Sequence, residues 1–182
     1  IFEVNSLHAE GVGTTLPQSV RSEQFVLDSS ATLTSEDAGL NRSPQNGSFL
    51  LEVTTLRQGE NEADPERETF VIDVDLDGIG AGGSLDDVVN RINALAGAKV
   101  TASVDTTGHL VIEGVNDATR ISFADDTSGL LACLGVNALF TGYDSVTMGL
   151  SEEVVSDPGL LAAGLSGEGD NRILTRNDPD EI

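Results

Sequence analysis

The chain has 182 residues, with 31 Asp and Glu against nine Lys and Arg, a net charge of −22. A surface this acidic excludes nucleic acid, whose phosphates it could not neutralise, and it excludes an anionic membrane face. Apolar residues make up 38% of the chain, with no Trp and a single Tyr, so one ordinary domain or two small ones must build a core from Val, Leu, Ile, Ala and six Phe.

No apolar run approaches the ~20 residues of a spanning helix, and the start has no signal-peptide pattern. Ile1 is not preceded by Met, which reads as a fragment cut from something longer. Residues 1–11, IFEVNSLHAEG, read as the end of a helix, with Phe2, Leu7 and Ala9 apolar and Gly11 as its stop. Over residues 12–46, short apolar pieces such as QFVL alternate with Ser, Thr, Asp, Gly and Pro, the texture of short strands and long loops.

Residues 47–140 are the informative stretch. In SFLLEVTTL a period of two sets Phe49, Leu51 and Val53 on one side of a strand and Leu50, Glu52 and Thr54 on the other. A charged insert containing Pro65 follows. TFVIDVDLDG then puts Phe70, Ile72, Val74 and Leu76 on one face and Asp73, Asp75 and Asp77 on the opposite one, so the two strands form a hairpin. The spacing of Leu85, Val88, Val89, Ile92 and Leu95 predicts a helix over about 84–96. Ser84 caps it, Asp86 and Asp87 suit its positive end, and Gly97 is a left-handed stop. Burying its five apolar side chains is worth on the order of 8–15 kcal/mol before entropy is subtracted, enough to dock it on the sheet.

KVTASVD and HLVIEGV are further strands joined by the turn Asp105-Thr106-Thr107-Gly108, and RISFADD is another, with Ile121 and Phe123 inward. A second helix is expected at SGLLACLG, capped by Asp126 or Thr127 with Leu130, Leu131 and Leu134 inward, and a third, short one after Asp157-Pro158. Beyond Gly164 the polar tail is expected to fray. The whole reads as α+β, predominantly β: antiparallel sheets with two or three short helices, the one at about 84–96 packed on the sheet. The expected organisation is a helix end at 1–11, a β-rich subdomain from 12–46 plus 141–182, and an α+β subdomain over 47–140.

The search for chemistry yields little. Asp73-Val74-Asp75-Leu76-Asp77-Gly78 copies the opening of a calcium loop, with three carboxylates at alternate positions and Gly at the sixth. The twelfth position holds Ser84 where a bidentate Glu belongs, and an alternating Asp face on a half-exposed strand explains the same pattern. Asp73, Asp75 and Asp77 are therefore weak metal candidates, and a calcium-stabilised, extracellular adhesin-like module is the alternative reading. Gly78, Gly80, Gly82 and Gly83 precede a helix as a phosphate cradle would, but no Lys or Arg is near and Asp77, Asp86 and Asp87 would repel an anion. His8 and His109, the two histidines, follow different kinds of element, and His109 is expected at the surface. No G-x-S-x-G elbow supports a triad. Cys133 is the sole cysteine, which forbids an internal disulfide or a Cys-based zinc site, and within LLACLGV it reads as a small buried hydrophobe. The expectation is no catalytic residue, no cofactor and no enzyme.

Several strings resemble flagellar hook-associated proteins of the hook–filament junction type. Asn5-Ser6-Leu7-His8-Ala9-Glu10-Gly11 looks like the segment ending a long helix in that family, and Pro44-Gln45-Asn46-Gly47-Ser48-Phe49 like the start of its central unit. Val74-Asp75-Leu76-Asp77-Gly78-Ile79-Gly80, Ser84-Leu85 and Arg91-Ile92-Asn93 are similar to the IN motif shared by flagellin and hook-associated proteins. Phe123-Ala124-Asp125-Asp126-Thr127-Ser128-Gly129, then Leu134-Gly135-Val136-Asn137 and Phe140-Thr141-Gly142, form the most specific stretch. The chain departs from it at Leu139, where the family carries Phe. Ser156-Asp157-Pro158, Leu161-Ala162-Ala163-Gly164 and Gly169-Asp170-Asn171 resemble strings before the C-terminal helices.

The resemblance implies the outward-facing middle of a secreted structural protein of the bacterial flagellum, exported through the flagellar apparatus and flanked by helices that form the inner tube. It would serve as a rigid spacer and touch neighbouring copies of itself and other hook-associated, hook or filament subunits. Alone, without the polymerising helices, it would be monomeric.

Overall fold

The computed structural model describes residues 2–13, 15–56, 66–77, 83–142, 144–162 and 164–165. Most of the charged insert after residue 56, Gly78, Gly80 and Gly82 of the glycine-rich turn, and the polar tail lie outside the described residues.

Two antiparallel three-stranded sheets carry the structure. In the first, β3 (Gly47–Thr55) is central, flanked by β4 (Glu66–Val74) and β7 (Thr119–Ala124). The expected hairpin is present, with Phe49 opposite Ile72 and Leu51 opposite Phe70. On the other edge Leu51 faces Phe123 and Val53 faces Ile121. Phe49 and Phe123 meet edge to face, ring centroids 6.2 Å apart. The second sheet runs β2 (Ser19–Phe25), β6 (His109–Gly114), β5 (Val100–Val104). Strand β2, from the 12–46 stretch, thus hydrogen-bonds to β6, from the 47–140 stretch. The Asp105–Gly108 turn joins β5 and β6, with Gly108 at φ 86°, a conformation only glycine takes without cost.

Helix α2 (Leu85–Ala96) packs against β4 of one sheet and β5 of the other and so closes the space between them. Its start is the anticipated one. Ser84 Oγ accepts the Asp87 amide and the Asp87 carboxylate accepts the Ser84 amide, a reciprocal capping box. Its buried stripe is Leu85, Val88, Ile92 and Ala96, while Leu95 is 50% exposed. Leu95 sits at the margin of the stripe, because at about 100° per residue Ala96 lies nearer the direction of Leu85 and Ile92 than Leu95 does. Gly97 is not the left-handed stop that was expected. It sits at φ −62°, ψ −13° and donates to Asn93 O, and the chain winds on until the Lys99 amide takes the Ala96 carbonyl. With β5 beginning at Val100, the exit needs a tight right-handed turn rather than a reversal.

One apolar cluster runs through both sheets, α2 and α3 (Leu130–Leu134), whose Leu130, Leu131 and Leu134 point inward as expected. The far face of the first sheet is also covered, but by polar groups. Glu52, 1% exposed on the central strand, accepts from Ser122 Oγ at 3.2 Å and lies 3.8 Å from Arg67 Nη1.

The remaining elements are short. α1 (Phe2–Ala9) packs on α3, β1 (Gly11–Val12) pairs with β10 (Gly164–Leu165), and β8 (Phe140–Thr141) pairs with β9 (Gly149–Leu150). The expected helix after Asp157-Pro158 is a single 3-10 turn over Pro158–Leu160, and α4 (Glu152–Ser156) immediately before it was not anticipated. Asp157, extended as residues before proline are, ends α4. The fold is α+β and mostly antiparallel sheet as expected, with α4 the one described α-helix that the sequence reading did not include.

Candidate functional site

Of the aspartates in the calcium-like string, Asp75 has its carboxylate bonded within the turn. Asp73 is exposed at the end of β4, and its carbonyl receives Arg91 Nη1 from α2 at 2.6 Å. Asp75 lies past the strand and accepts the Asp77 amide with its own carboxylate, while Asn46 Oδ1 accepts the Leu76 amide at 2.6 Å. Among the described residues no group of three or more His, Cys, Asp or Glu side chains is placed to hold a metal ion.

The two histidines occupy separate clusters. His109 is mostly covered, contrary to the surface position expected. Its Nδ1 accepts Arg21 Nη2 at 2.7 Å, and Arg21 also donates to Asp105 Oδ2 at 2.9 and 3.0 Å, tying β2 to the β5–β6 turn. Asp105 further accepts the Thr107 hydroxyl and the Thr107 and His109 amides; these bonds, the Thr107 hydroxyl foremost, hold its carboxyl well below the usual carboxylate range. His8 is 5% exposed on α1, and burial lowers its pKa, so the ring is neutral at pH 7. Its Nδ1 accepts the Ala162 amide at 3.2 Å. Cys133 is buried and its thiol is pushed up to about 11, which leaves no thiolate for chemistry at neutral pH.

Strings that are far apart in sequence meet in pairs. The Asp126 carboxylate, its pKa raised by burial, accepts Ser128 Oγ and the Gly129 and Leu131 amides at 2.7–3.0 Å, and so organises the entry to α3. Beside it, Thr127 is stitched to the start of β3. Its amide donates to Ser48 O, its hydroxyl accepts the Ser48 amide, and Gln45 donates to the Thr127 and Ser128 carbonyls. Gly47 is required there, since a Cβ would come within 2.8 Å of the Ser128 nitrogen.

The second pair joins residues 5–11 to residues 137–140. Asn5 clasps both backbone groups of Phe140 at 2.8 Å each, and Asn137, at φ 50°, donates to the His8 and Gly11 carbonyls. The sequence offered each string separately; no local signal reported that they touch.

This arrangement ties loops and termini to a sheet scaffold, with Asp75, Asp87, Asp105 and Asp126 engaged in caps, turns or cross-links. Residues 68–116 match the family model described as the flagellin hook IN motif. The match runs from within β4 through α2 and β5 to just past β6. No curated protein matches the chain. A flagellin-type motif on this scaffold supports a structural, non-enzymatic component of the bacterial flagellum.

Proposed function

We propose that the chain is the outward-facing middle region of the protein at the hook–filament junction of a bacterial flagellum. In this reading it is exported through the flagellar apparatus and serves there as a rigid spacer that contacts neighbouring copies of itself and adjoining hook or filament subunits. The observation that carries the reading is the flagellin hook IN motif over residues 68–116. The strings outside that span add to it, since they follow the junction family's order and pack on one another. The net charge of −22 suits a part that must travel and wait without associating prematurely. Such a role needs no cofactor and no turnover.

Immunogold labelling of purified flagella with an antibody raised against this chain tests the reading. A narrow band between hook and filament is the expected result. Label along the whole filament would make the chain a filament subunit, and unlabelled flagella would end the flagellar assignment.

A further inference from the structure

An apolar groove of about 360 Å³ lies beside α1, lined by Val4, Leu7, His8, Leu139, Leu161, Ala162 and Gly164. Leu7 is 57% exposed and Val4 and Leu161 are nearly as open, so three large hydrophobic side chains face solvent across one cleft. Among the described residues no acidic side chain lines it. In a chain with 31 acids, such a surface is where a second copy can approach without carboxylates meeting.

His8 forms part of the groove wall. His8 Nδ1 accepts the Ala162 amide, so the neutral ring holds its proton on Nε2. That Nε2 is buried and has no hydrogen-bond partner among the described residues.

The chain displays a projection of matching chemistry. Between β8 and β9, the turn Asp144–Thr147 presents Val146, 89% exposed, followed by the exposed Met148. The turn is rigid. Asp144 Oδ1 accepts the Val146 and Thr147 amides and the Thr147 hydroxyl at 2.7–2.9 Å, and the Met148 amide returns to Asp144 O. Gly142, at φ 76°, lets the Thr147 carbonyl approach where any Cβ would collide. The turn's own acid, Asp144, is thus engaged within the turn beside the exposed apolar side chain.

We infer that the Val146–Met148 tip of one copy seats in the Val4–Leu7–Leu161 groove of the next. The partner choice rests on the self-contacting flagellar role proposed above. Projection and groove are different patches, so the contact is head to tail, the kind that propagates into rings or helical arrays rather than closing a two-fold dimer. One turn in one groove falls short of the ~1,200 Å² of a stable pair. The isolated chain therefore stays monomeric when dilute, and the contact gains strength where copies are already held side by side.

Mixing Leu7→Cys and Val146→Cys chains, both carrying Cys133→Ala, at high concentration under mild oxidation tests the inference. The mixed Leu7–Val146 disulfide is expected to exceed both homodimers severalfold, and Leu161→Asp in the groove-bearing chain is expected to remove that excess. Both cysteine sites are exposed, so neither substitution threatens folding. A statistical mixture of products overturns the inference. A dominant Leu7 homodimer does too, as does a doubly substituted chain that closes on itself. Flagella that carry the junction label but do not cross-link when built from the two variants would remove this surface and leave the proposed function standing. Flagella without the label would remove the function itself.

Discussion

The scaffold of α2, α3 and the two three-stranded sheets and the end built from α1 and β8–β10 are held together by different forces. In the scaffold, long strands and an amphipathic helix bury Phe49, Leu51, Ile72, Ile92, Leu110, Ile112 and Phe123 almost completely. At the other end the strands are two residues long, Val4, Leu7, Val146, Leu150 and Leu161 stay exposed, and individual polar bonds fix the geometry. Both use the same device, an asparagine on a helix that clasps the N–H and C=O of one strand residue. Asn93 holds Ala102 nine residues away; Asn5 holds Phe140 across 135 residues. The scaffold would keep its shape without its clasp, because apolar burial already docks α2. The end buries less apolar surface and so leans more on its clasp.

Phe49→Ala attacks the scaffold and is expected to have the largest effect, about 3–5 kcal/mol lost from global stability by urea denaturation. If the two regions are one cooperative unit, hydrogen exchange in both will rise together. Asn5→Ala comes next. With the side chain only 8% exposed, its loss strands the Phe140 backbone groups away from water, at about 1–3 kcal/mol. Faster amide exchange confined to residues 137–150 would show that the end opens separately. Asn93→Ala is expected to cost less, about 0.5–1.5 kcal/mol, because Asn93 is exposed and water can replace it. Equal losses at the two sites would erase the contrast between the regions.

Acid sharpens the comparison further. Asp105, in the scaffold, has a folded pKa below its ordinary 3.8, so its support is present above that value and is lost as pH falls. Asp126, where the end joins the scaffold, has its pKa raised from 3.8 by burial, so its contribution weakens as pH rises through the raised value. Melting temperature followed from about pH 2 to 6 should fall less steeply on acidification in Asp105→Asn and more steeply in Asp126→Asn. The smallest effect is expected from Val146→Ser, within about 0.5 kcal/mol of the parent by urea denaturation, since the side chain touches almost nothing in its own chain.

The sequence by itself determined the α+β class, the β3–β4 hairpin, the capped helix from Ser84, the inward leucines of α3 and the acidic, cysteine-poor surface. Each of these follows from a local period, a cap or a residue count, so a window of ten to fifteen residues contains the cause. Only the tertiary structure decided that Glu52 would be buried on a central strand, that β2 would pair with β6, that Ala96 would replace Leu95 in the core, and that Asn5 would hold Phe140. Those outcomes depend on which faces meet after long loops close. That choice belongs to packing and register between distant segments, which no local pattern encodes.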